Sequence, residues 1–102
     1  MGSSLSYYAE TKTMFIEPEF NGKLTRLPPE TEIITFEECY NCVSKFNQPV
    51  YKKDLPLNIQ RIEFGYSFNQ PINKDSFPNS ITYLSFGYCY NQPIDKDSLP
   101  SS

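Results

Sequence analysis

The sequence predicts a mainly β chain, wound as a short parallel solenoid with few or no helices. Three observations carry that reading. An aromatic-Asn-Gln-Pro-aliphatic phrase occurs three times at a spacing of 22 residues: Phe46-Asn47-Gln48-Pro49-Val50, Phe68-Asn69-Gln70-Pro71-Ile72 and Tyr90-Asn91-Gln92-Pro93-Ile94. Between the copies a second signature recurs, with Leu55-Pro56, Ile59, Ile62, Phe64 and Gly65 returning as Phe77-Pro78, Ile81, Leu84, Phe86 and Gly87. Within it, Ile62-x-Phe64 and Leu84-x-Phe86 alternate apolar and outward positions, the period of a strand. Self-similarity at a fixed period of roughly 20 to 50 residues marks a chain whose units stack.

In chain order, residues 1–12 precede the pattern as an N-terminal arm. Residues 13–26 form a half unit, because Met14-x-Ile16-x-x-x-Phe20-Asn21-x-x-Leu24 follows Ile62-x-Phe64-x-x-x-Phe68-Asn69-x-x-Ile72. Residues 27–54 form a bulged unit. Leu27-Pro28 leads to Ile34 and Phe36, but the stretch from there to Phe46 is six residues too long. The extra residues fall at or near Cys39-Tyr40-Asn41-Cys42-Val43-Ser44, so either Tyr40-Asn41 or Phe46-Asn47 fills the aromatic-Asn place. Residues 55–76 and 77–98 are clean units, and 99–102 open a further one as a stub.

The residue types of one coil follow from its shape. Gly65 and Gly87 close the strand where the backbone turns away. Pro71 and Pro93 lack an N–H and favour an extended or turn conformation, which suits a second corner. Asn21, Asn47, Asn69 and Asn91 recur at a bend beside an aromatic residue. They are expected to form a ladder in which each side-chain amide bonds backbone groups of the neighbouring coil, because buried turn backbone must be satisfied. Six apolar columns per coil point inward, and stacking buries what one coil alone cannot.

The phrases FNQPI, LP-x-x-I and L-x-FG resemble the FNIP repeat, a unit of this length related to leucine-rich repeats. That family is populated by proteins of amoebae and of large amoeba-infecting viruses. The resemblance covers about residues 13–102 and implies a right-handed, leucine-rich-repeat-like parallel solenoid with its strands stacked on one face. Relatives often carry many more units, and some join them to an F-box that docks on a ubiquitin-ligase scaffold. No segment long enough for an F-box precedes Met14, so that role is not carried over.

Composition narrows the function. The chain of 102 residues contains no histidine, which removes the commonest general base and metal ligand. No cofactor and no catalysis are expected. A net charge of -3 argues against a nucleic-acid partner. No apolar run approaches a membrane span and no signal-peptide core is present, so a cytosolic setting is expected, the host-cell cytosol if the protein is viral. Met1-Gly2-Ser3-Ser4-Leu5-Ser6 fits the N-myristoylation pattern, so a membrane enters only if Gly2 is acylated. Three cysteines without a secretory signal predict free thiols. Cys39-x-x-Cys42 alone supplies too few ligands for zinc. Asp75 and Asp97, each beside a lysine, read as solvated surface charge.

What remains is a non-catalytic scaffold recognising an unknown protein partner through outward strand positions. These align as Thr13, Ile33, Arg61 and Tyr83 in one row and Phe15, Thr35, Glu63 and Ser85 in the next. Tyr66 and Tyr88 are expected to face out as well. The alternative is a truncated remnant or structural fragment of a longer repeat protein without a ligand of its own. End-to-end self-association through uncapped coils is compatible with either.

Overall fold

A computed structural model describes residues 5–24, 27–39, 41–73 and 75–92. The expectations for Gly2, Tyr40, Pro93, Ile94, Asp97 and the stub lie outside these residues. Five short strands form one sheet in sequence order: β1 (Leu5–Tyr8), β2 (Thr13–Ile16), β3 (Ile33–Phe36), β4 (Arg61–Glu63) and β5 (Tyr83–Ser85). β2 through β5 pair in parallel, each a coil apart, and Met14, Ile34, Ile62 and Leu84 fall in one register column. Among the described residues the helical content is a single 3-10 turn, Lys52–Asp54. The fold is a leucine-rich-repeat-like solenoid.

One feature departs from the expected arm at residues 1–12. β1 lies antiparallel on the outer edge of β2, with Leu5 opposite Ile16 and Tyr8 opposite Thr13. The chain reverses through the turn 9–12, where Lys12 takes a left-handed φ of 55°, a conformation uncommon outside glycine. The first coil is therefore not an open end, because β1 occupies its edge hydrogen bonds.

The core is a set of stacked columns. Leu55 and Phe77, Ile59 and Ile81, Ile62, Phe64, Phe68 and Ile72 are all buried. Two aromatic columns run side by side. Phe20, Phe46, Phe68 and Tyr90 stack with centroids 6.1, 5.9 and 5.9 Å apart, and Phe36, Phe64 and Phe86 follow at 5.6 Å each. Phe46, not Asn41's neighbourhood, fills the bulged coil: Phe46 is buried and Asn41 is exposed. Cys39, Asn41 and Val43 in the insertion are exposed, whereas Ser44 is buried.

Backbone bonds join the coils just ahead of each strand. The carbonyl of Lys12 accepts from the amides of Glu32 and Ile33, that of Glu32 from Gln60 and Arg61, and that of Gln60 from Thr82 and Tyr83. The same turn precedes each of these amides, with Thr31, Ile59 and Ile81 bonding the carbonyls of Pro28, Pro56 and Pro78. Thr31 thus occupies the Ile59/Ile81 column. It is fully buried, and its hydroxyl has no hydrogen-bond partner among the described residues. Replacing Thr31 with the isosteric Val removes that orphan, and should raise the unfolding free energy by about 1 kcal/mol. A urea titration reads the change, and a destabilised Thr31→Val variant would mean the hydroxyl is bonded after all.

The glycines are explained differently from the sequence expectation. None of the described glycines has a positive φ. They serve close approach: a Cβ on Gly65 would collide with the Ser44 side chain, and one on Gly87 with the Gly65 carbonyl. Ser44, Gly65 and Gly87 thus form a column too tight for larger side chains.

Candidate functional site

The outward side of the sheet is built by the alternation of strand residues. Met14, Ile16, Ile34, Phe36, Ile62 and Phe64 turn inward, which leaves their neighbours on the opposite face. The register places Thr13, Ile33, Arg61 and Tyr83 in one row, and Phe15, Thr35, Glu63 and Ser85 in the next.

These positions are not equally available. Thr13 is a correction to the expected surface: it is only 6% exposed, paired with Tyr8 of β1, and its hydroxyl donates to the Thr11 carbonyl at 3.2 Å. Phe15 is half-buried, with the Tyr8 ring set edge-on at 5.1 Å. Ile33, Thr35, Glu63 and Ser85 are half-buried, and Arg61 and Tyr83 are exposed. Four of these side chains join across strands. Arg61 Nη1 lies 3.1 Å from Glu63 Oε2, and the guanidinium carbon sits 4.3 Å from the Tyr83 ring centroid. Thr35 Oγ1 donates to Glu63 Oε1 at 3.4 Å. The guanidinium therefore has a carboxylate beside it and an aromatic face against it, a cation–π contact typical of recognition surfaces.

The asparagines lie at the far bend. Asn47 N donates to Asn21 Oδ1 at 2.8 Å, Asn69 N to Asn47 Oδ1 at 2.8 Å, and Asn91 N to Asn69 Oδ1 at 2.9 Å. Each following glutamine joins the same acceptors. Gln48, Gln70 and Gln92 place Nε2 within 3.1 to 3.4 Å of the carbonyl and Oδ1 of Asn21, Asn47 and Asn69 respectively. One asparagine thus receives two donors from the next coil. The glutamine role went unread in the sequence, although Gln recurs in every copy of the phrase.

Elsewhere the surface carries ion pairs as well as exposed apolar side chains such as Leu57 and Tyr88. Lys52 lies 3.8 Å from Asp75 and Lys23 lies 3.7 Å from Asp54. The Lys52–Asp75 pair is exposed, and exposed pairs contribute about 0–1 kcal/mol, whereas Asp54 is half-buried. A hollow of about 330 Å³ near the 3-10 turn is lined by Leu27, Pro29, Lys53, Leu55 and Leu57, among others. Among the described residues, no three His, Cys, Asp or Glu side chains gather to hold a metal. No helix of the described residues is long and apolar enough to cross a membrane.

At the insertion the structure departs from the sequence expectation for two cysteines and adds a carboxylate. Cys39 and Cys42, expected as free thiols, are joined in a disulfide with alpha carbons 5.0 Å apart, whereas Cys89 is free and exposed. Glu38, not singled out in the sequence, accepts from the amides of Ser44 at 3.0 Å and Tyr66 at 2.6 Å. No pattern in the sequence points to Glu38, because the insertion occurs once and breaks the repeat.

Comparison with solved structures finds the crystal structure of CroV588, described as a novel circular LRR protein. The chains share 30% identity and superpose with a TM-score of 0.58, over 79% of this chain. This chain spans 15% of that protein's length. No curated protein matches the sequence. The sequence profile described as FNIP Repeat matches residues 46–89 and 68–102, which together span more than half of the chain. The chain belongs to the FNIP repeat family.

Proposed function

We propose that the protein is a repeat scaffold without catalytic activity that binds an extended segment of a protein partner across its strand face. The observation that carries this reading is the cross-strand group of Thr35, Glu63, Arg61 and Tyr83. Its aromatic and guanidinium ends stay exposed while their positions are set by one another. Side chains ordered before binding lose less conformational entropy on association, and Arg and Tyr are frequent hot spots. The parallel register supports recognition of a segment running across strands, because equivalent positions repeat once per coil while their identity changes from Ile33 to Arg61 to Tyr83. The invariant columns build the coil, and the variable outward ones are free to discriminate.

The test uses a partner recovered by pull-down from cell extract, titrated against variants. Arg61→Ala and Tyr83→Ala should each weaken binding by more than about 1 kcal/mol, with the circular dichroism spectrum unchanged. Lys52→Ala, on the polar return stretch, should leave affinity unaltered. If Lys52 matters and Tyr83 does not, the partner binds the opposite face.

A further inference from the structure

We propose that Cys39 and Cys42 form a reversible dithiol–disulfide site, exchanged by glutathione-class thiols, whose oxidised state holds the Glu38 carboxylate against the Tyr66 amide. This inference is independent of the binding reading above.

The pair is built to close and reopen without disturbing the core. Its alpha carbons are 5.0 Å apart, inside the range a disulfide spans. Cys39 N donates to the Cys42 carbonyl at 2.8 Å, and Cys42 N donates to the Cys39 carbonyl at 3.2 Å. Those two bonds pair the backbones of the bridged cysteines. Cys39 is exposed and Cys42 half-buried, so an attacking thiol has access.

A purely structural role explains the bridge poorly. It closes a loop with only two residues between its ends, and short loops constrain the unfolded chain least. The surrounding residues Glu37, Glu38, Asn41 and Val43 are exposed and add nothing to the core. What the loop does carry is Glu38, next in sequence to Cys39. Its Oε2 accepts from Ser44 N within the loop and from Tyr66 N on the next coil. Tyr66 in turn stacks on Tyr88 with centroids 5.3 Å apart and planes 7° from parallel. Both tyrosines are exposed, Tyr88 at 83%. The bridge, the carboxylate and this aromatic pair are thus consecutive links of one chain of contacts.

The exchange balances simply. A glutathione thiolate attacks Sγ of Cys39, the S–S bond breaks, and Cys42 leaves as a thiolate that takes a proton from water. A second glutathione thiolate attacks the mixed disulfide, releasing Cys39 as a thiolate that is likewise protonated and forming oxidised glutathione. Two electrons pass to the protein, and oxidised glutathione reverses both steps.

The full-length chain is equilibrated in oxidised or reduced glutathione, alkylated, and its thiols counted by mass. In the oxidised sample the Cys39–Cys42 bridge is expected with Cys89 either alkylated or joined to glutathione, and in the reduced sample three alkylated thiols. Amide hydrogen exchange then reads the consequence: reduction should speed exchange at Tyr66 roughly tenfold, leaving Asn69, which is held by Asn47, unchanged. In a Cys39→Ser, Cys42→Ser variant, exchange at Tyr66 should no longer respond to glutathione. Three free thiols in oxidised glutathione, or a bridge made through Cys89, would overturn the proposal. So would identical Tyr66 exchange in the two states of the native chain.

Discussion

Phe64→Ala is expected to lower the unfolding free energy by about 3–5 kcal/mol, read as a shift in the urea midpoint. The reason lies in its position between coils. The Phe64 ring lies 3.9 Å from that of Phe68, 5.6 Å from those of Phe36 and Phe86, and 6.3 Å from that of Phe77. Truncation opens a cavity bounded by four aromatic rings, which cannot collapse without moving two neighbouring coils. Small domains carry about 5–15 kcal/mol in total, so this loss takes a large share of it. Phe86 occupies the same column one coil on, but it is half-buried rather than buried. Phe86→Ala should therefore cost markedly less than Phe64→Ala. Equal losses, or a loss under about 1 kcal/mol at Phe64, would show that the column is not the core.

That difference between two positions of one column was invisible in the sequence. The repeat template gives Phe64 and Phe86 the same role, and the register confirms the same strand position for both coils. Burial differs because it depends on what lies on either side of a coil, and periodicity records only the coil itself. The same limit explains Thr13. Alternation placed it in register with Ile33, but β1 pairs beside it and it is buried, and nothing in Leu5-Ser6-Tyr7-Tyr8 announces an antiparallel partner for β2. Short β segments are set by the surface available for pairing more than by intrinsic preference.

Much of the rest was legible, for a physical reason. Each unit must present the same inward residues to its neighbours, so the core columns and strand register are written several times over. The Leu-Pro-x-x-Ile turn was readable for that reason, and Thr31 could have been found as its third copy. Features that occur once were not readable. The Cys39–Cys42 bridge and the Glu38 carboxylate belong to the insertion, where no second copy exists for comparison. The outward positions are an intermediate case: the repeat locates them, yet the contact between Arg61 and Tyr83 depends on rotamers that spacing does not specify.

The glycine column offers the second large effect and separates two kinds of crowding. Gly87→Ala is expected to cost at least the upper end of the roughly 1–3 kcal/mol typical of overpacking. Its new Cβ would collide with the carbonyl group of Gly65 and lie 3.0 Å from the Tyr66 Cα, all backbone atoms. Backbone can yield only if one coil shifts against the next, and such a shift would stretch the hydrogen bond from Cys89 N to the Tyr66 carbonyl, now 3.0 Å. Gly65→Ala meets a different obstacle, the side chain of Ser44, with Glu38 Oε2 next at 3.0 Å. Removing that side chain should relieve it. In a Ser44→Gly background, the cost of Gly65→Ala should fall by about 1 kcal/mol or more, a coupling that a double-mutant cycle measures directly. The same background should leave the cost of Gly87→Ala unchanged, since no side-chain deletion makes room there. If Ser44→Gly relieves both substitutions equally, the coils are loosely packed and the column is a matter of turn conformation. If it relieves only Gly65→Ala, the absent Cβ is what lets one coil seat directly upon the next.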